Sequence, residues 1–234
     1  MQEIDLMQIK ILAIAILTFV VAVEARAKDK LTARFRPFYE KFGRDSTTEL
    51  EIVAGPEAVE MRNGRVAGKR WIATCGEYRF KLTIEDSTGV TLDELVQRVE
   101  KLPRSYMKAC VAVSDEGEDG IAIYANLGGA RAHGGKGYIN LIPSAGALVI
   151  AHEVGHTLEQ VARQSDPKIL DTWREAIMAD KISISDYGDH AHSEDIAEFA
   201  QVYAVCLGAG PEQLATLEKL SPARFALWEK ILEP

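Results

Sequence analysis

Apolar positions along this chain change their period near the middle. In the first part, Leu50-Glu51-Ile52-Val53, Trp71-Ile72-Ala73-Thr74 and Tyr78-Arg79-Phe80-Lys81-Leu82 alternate or cluster β-forming side chains between turn residues. Segments 121–124 and 138–142 do the same, so strands are predicted across a region from about 47 to 143. One helix interrupts them: Thr91-Leu92-Asp93-Glu94 has the form of a capping box, with apolar residues at Leu92, Leu95, Val96 and Val99 before Pro103. Beyond Pro143 the spacing becomes helical. Ser144 is a candidate N-cap for a helix reaching about Gln164, and further helices are predicted near 168–179, 192–207, 211–220 and 223–232. Gly208 and Gly210 stop the helix near 192–207 and Pro222 opens the last. The pattern predicts an α+β domain with a mixed β-sheet in its N-terminal half and helices in its C-terminal half.

Of the 234 residues, 47% are hydrophobic and 26% charged, ordinary values for a globular chain with room for one core. The formal net charge of −8 argues against nucleic acid or an anionic membrane surface as partner. Residues 1–27 stand apart. Lys10 precedes an apolar run from Ile11 to Val23, and Ala25-Arg26-Ala27 suits cleavage before Lys28. This reads as a signal peptide, with Met7 a second candidate start and an uncleaved anchor the alternative. The expected product is a single domain, 28–234, secreted or periplasmic and without stable membrane association. Cys75, Cys110 and Cys206 are too few for a disulfide scaffold and show no CxxC spacing. Cys75 and Cys110, both in strand-like segments, could pair.

The chemistry is concentrated in His152-Glu153-Val154-Gly155-His156. Histidines four apart on a helix project from one face about a turn apart, so two imidazole nitrogens can reach one tetrahedral Zn²⁺. Glu153 is offset by one residue, where it can act on water without binding the metal. The run Ala147-Leu148-Val149-Ile150-Ala151 carries this helix into the core, where two imidazoles and a carboxylate would be costly to bury unless something satisfied them. A third protein ligand is needed. The metzincin pattern is rejected because Glu159 and Ala162 stand where it requires Gly and His. Glu194, in Ser193-Glu194-Asp195-Ile196-Ala197-Glu198-Phe199, can supply that ligand, and Glu198 one turn later can hydrogen-bond a ligating histidine. A solvated N-terminal helix carboxylate is the alternative for Glu194, a surface charge that for Glu198, and His192 competes as ligand.

Together with Tyr187-Gly188, these residues resemble the gluzincin metallopeptidases of the anthrax lethal factor catalytic domain and the Pro-Pro endopeptidases. The similarity covers the His152 helix and about 187–201; the stretch 28–90 matches nothing in that family, and the interval from His156 to Glu194 is somewhat shorter here. The resemblance implies a zincin-like fold around an active-site helix and zinc held by His152, His156 and Glu194. It also implies Glu153 as general base, and Tyr187, seven residues before Glu194, facing the reacting carbonyl; a simple turn residue is the alternative for Tyr187. The expected function is zinc-dependent endopeptidase activity on a peptide or protein bound as an extended strand along 138–142, taken as the sheet edge. The Gly-rich stretch 128–135 would be a flap over the cleft or a long hairpin loop. The competing function is a non-catalytic secreted zinc-binding interaction module.

Overall fold

The computed structural model describes residues 30–42 and 48–233. Residues 1–27, expected from the sequence to be a signal peptide, lie outside the described residues. A helix α1 (Leu31–Tyr39) comes first, followed by three antiparallel strands, β1 (Glu51–Met61), β2 (Val66–Cys75) and β3 (Tyr78–Glu85). Helices α2 (Leu92–Val99) and α3 (Met107–Glu116) then cross over to β4 (Ile121–Ile123), which lies parallel to β3. Strands β5 (Ala132–Gly135) and β6 (Tyr138–Leu141) form a hairpin whose second strand runs parallel to β4. The result is one six-stranded mixed sheet ordered β1-β2-β3-β4-β6-β5. Five further helices follow: α4 (Ala147–Ser165), α5 (Ile169–Asp180), α6 (His192–Ala209), α7 (Pro211–Leu220) and α8 (Pro222–Leu232). The expected mixed α+β arrangement is therefore present. Among the described residues no helix is long and apolar enough to cross a membrane.

The main core joins the two halves. Leu82, Ile121, Ile139 and Leu141 of the sheet share it with Ile150, Val154 and Leu158 of α4 and Phe199 and Val202 of α6. An aromatic cluster closes its helical end: Trp173 and Phe199 meet edge to face at 5.4 Å, and Trp228 stacks its edge against Tyr106 at 6.0 Å. The Tyr106 hydroxyl, wholly buried, donates to the Ala200 carbonyl. A smaller cluster of Met61, Ala122, Tyr124 and Leu127 forms separately from this core.

Four expectations change. The strand 138–142 is not an edge, because β6 is paired on both sides; the edge is β5, formed from the glycine-rich stretch read as flap or loop. Glycine has little intrinsic strand preference, and here packing on α4 overrides it. Cys110 lies on a helix rather than a strand. The β-branched run around it misleads, while burial of Met107, Cys110 and Ser114 follows a helical face. All three cysteines are free and buried, so Cys75 and Cys110 do not pair. Finally, the N-cap of α4 is Gly146, with no side-chain capping bond, so Ser144 does not start that helix.

The capping box at the start of α2 forms as the sequence predicts: Glu94 N–H donates to Thr91 Oγ1, and the Glu94 carboxylate accepts from the Thr91 N–H. Thr91→Ala should therefore lower the free energy of unfolding by about 1 kcal/mol in urea titration; an unchanged midpoint would mean the cap contributes nothing.

Candidate metal centre

Helix α4 runs beneath the sheet edge and against α6. Its interior glycine decides how close the two helices come. A Cβ at Gly155 would lie 2.7 Å from the Ala197 Cα and 2.8 Å from the Ala200 Cβ, closer than side chains allow. Small residues on both helices thus let their backbones touch, and Gln201 adds a bond from its side-chain amide to the Leu148 carbonyl. This contact brings the first turn of α6 against the histidine face of α4.

Three donor groups converge there. The rings of His152 and His156 stand edge to face with centroids 4.9 Å apart. Glu194 Oε2 lies 3.3 Å from His152 Nε2 and 3.5 Å from His156 Nε2. One ligand atom from each residue falls within 4.8 Å of the other two, which makes His152, His156 and Glu194 a group able to hold a metal ion. The fit can be judged from the donors themselves. Glu194 Oε2 is buried and has no hydrogen-bond partner despite the two nearby nitrogens. A buried carboxylate oxygen left without a bond is costly, and a cation between it and the two imidazoles would satisfy all three. His192, the competing ligand, is exposed at the start of α6 and is outside this group.

Glu198 stands one turn beyond Glu194, with Oε1 3.3 Å from His152 Nδ1. Accepting from Nδ1–H, it fixes the tautomer that presents the Nε2 lone pair to the centre. Burial draws the His152 imidazole down, but the bond to Glu198 and the charges of Glu153, Glu198 and Glu194 outweigh it and hold the pKa above its usual value. His156 is lowered, first by burial and then by the charge of His152.

Glu153 is 6% exposed and pressed against the edge strand. Burial pushes its carboxyl up to about 7, with the Glu194 charge acting in the same direction and His152 and the Gly134 backbone opposing it. A Cβ at Gly134 would sit 2.6 Å from the Glu153 Oε2 and 2.7 Å from its carbonyl oxygen. The glycine therefore lets β5 lie directly on the helix. Gly134 belongs to the stretch expected to be a flap or a loop, and the signal for its role is a Gly-Gly pair a short distance before the motif, which marks close backbone approach.

Tyr187 lies in the segment between α5 and α6, 53% exposed, its ring 5.9 Å from that of His152. Partial burial and the Glu194 carboxylate raise its hydroxyl pKa. A short 3-10 turn (Gly188–His190) follows it, pinned by Gly188 N–H donating to Ser185 Oγ. His190 approaches the Tyr187 ring at 6.3 Å and lies outside the three-ligand group.

Replacing Gly155 by Ala sets two effects against each other. Alanine favours a helix interior by about 1 kcal/mol, while overpacking a core costs about 1–3 kcal/mol. Because the obstacle includes backbone, the second effect should win: Gly155→Ala should melt at lower temperature and retain a divalent cation less well on dialysis. A variant more stable than the parent would show that the two helices can separate freely.

No known protein-family model matches the chain, and no curated protein or solved structure matches it either.

Proposed function

We propose that this chain is a secreted zinc-dependent endopeptidase of the gluzincin type, with a zincin-like fold. The observation that carries this reading is the convergence of His152, His156 and Glu194 from two helices around a buried, unbonded carboxylate oxygen. The N-terminal apolar run supports export, and the resemblance of the His152 motif and of 187–201 to lethal factor and Pro-Pro endopeptidases supports the reaction. Zinc, when bound, supplies Lewis acidity that polarises a carbonyl and makes water a nucleophile near neutral pH.

The remaining tasks fall to side chains of this protein. Glu153, beside the ligands but not among them, takes a proton from the attacking water and delivers it to the leaving amine. A carboxyl with a pKa near 7 suits both transfers, since neither form is strongly disfavoured. Tyr187 donates its hydroxyl proton in a hydrogen bond to the developing oxyanion. Glu198 orients His152.

Substrate binding follows from the sheet edge. Ile139 N–H is directed to Gly120 and Ile142 N–H to Arg131, so the ladder alternation turns the backbone groups of Ala132 and Gly134 outward from β5, the Gly134 N–H toward the Glu153 carboxylate. An extended peptide added there would run past Glu153, which contacts Gly134. A non-catalytic zinc staple would call for a closed four-ligand sphere, and the metal-binding group among the described residues has three members.

Two substitutions separate metal binding from chemistry. Glu153→Ala should retain zinc at wild-type stoichiometry and lose about 10²–10⁴-fold in peptide hydrolysis, measured on a peptide library. Turnover at the wild-type rate would remove Glu153 as base. Glu194→Ala should weaken zinc binding by more than the about 10–100-fold typical of residues that only support a ligand. Unchanged zinc content after mild chelation would place the third ligand elsewhere.

A further inference from the structure

The segment joining α5 to α6 carries Tyr187 near its middle and delivers Glu194 at its end. Both ends of it meet a single side chain from a different helix. Arg224 of α8 is wholly buried. Its Nε lies 3.1 Å from Asp180 Oδ2, at the last residue of α5. Nη2 donates to the Ile182 carbonyl at 2.5 Å, two residues further on. Nη1 reaches Asp195 at 2.9 and 3.2 Å, in the first turn of α6 and one residue from Glu194. Neighbours complete the set: Ser221 Oγ donates to Asp180, and Trp173 Nε1 donates to Asp195 Oδ1 at 2.8 Å.

We propose that Arg224 is a positioning residue for the metal centre, a staple across the base of the 181–191 segment that sets Tyr187, and Glu194 just beyond it in α6, against the imidazoles of α4. The proposal rests on His152, His156 and Glu194 being the ligand set. A guanidinium presents five N–H groups in a rigid plane and can bind three acceptors in different directions, whereas the single nitrogen of lysine cannot span them. Stability alone is a weak reason for such a group, because a buried ion pair gains little over well-packed apolar residues of the same volume. What the fork adds is a fixed distance between two chain ends. The far side of the segment is held independently by α1, whose Leu31 and Thr32 N–H groups donate to the Ser183 and Ile184 carbonyls while Lys30 pairs with Asp186. At the base, Ser221 and the Ala223 N–H hold Asp180 and Trp173 holds Asp195, while the Arg224 side chain reaches both.

The test uses the full chain, with zinc itself as the probe. Arg224→Lys should weaken zinc binding about tenfold or more in chelator competition, the size expected when a supporting group is lost. It should also speed amide hydrogen exchange across 181–191 by about tenfold, leaving α2 unchanged. Leu95→Ala, a buried deletion in α2, serves as control: it should lower the melting temperature and leave zinc affinity within about twofold. Asp195→Asn, which keeps the shape and the acceptor for Trp173, should reproduce the Arg224→Lys result, and it decides the matter if Arg224→Lys does not fold. Wild-type zinc affinity and unchanged exchange in the folded variants would overturn the staple. A wild-type chain that holds no zinc would instead sink the hydrolase reading, and the exchange rates alone would then support or overturn the staple.

Discussion

Two imidazoles and two carboxylates are crowded into the seam between α4 and α6, with a third carboxylate, Glu153, beside them against β5, and the fold has to hold them there against the cost of leaving water. Such groups disperse unless hydrogen bonds or a cation compensate them. Part of the compensation is internal: Glu198 binds His152, and the Gly134 backbone faces Glu153. The Glu194 oxygen between the two Nε2 atoms has none. That residual deficit gives the centre its chemical character, and much of the surrounding structure serves to keep the deficit in place.

Much of this was legible in the sequence because it is local. The spacing of His152 and His156 within a helix, the capping box at Thr91, and the acidic pair Glu194 and Glu198 one turn apart all depend on residues a few positions from one another. Helix boundaries for α5 to α8 fell within one or two residues for the same reason. What was not legible depends on contacts between distant segments. The strand β5 consists of Ala, His and two Gly, a composition that reads as loop until α4 is laid against it. The helix around Cys110 carries β-branched residues whose intrinsic preference yields to packing. Arg224 has no local pattern around it that marks its role, and only the fold brings Asp180, Ile182 and Asp195 around it.

The centre also shows a division of labour between rigid and adjustable parts. Its histidines and Glu153 sit on a 19-residue helix locked into the core, whereas Tyr187 is carried by an irregular segment held at its base and on one flank. In the proposed role for Tyr187, being fixed in advance would be an advantage, since a group that meets developing charge then needs no rearrangement. In this molecule that fixation comes from hydrogen bonds to the ends of the segment rather than from regular secondary structure.

The contact at Gly155 extends to how kin of this protein would be recognised. Two helices that touch through a glycine and two alanines tolerate very few alternatives at those places, while their outward faces can vary widely. A homologue that keeps the same centre should therefore show small residues at 155, 197 and 200 alongside the ligands, even where the remainder of the chain has drifted beyond detection. The signature of the family would be a pattern of small and ligating positions on two separated helices, spaced by geometry and not by length of chain.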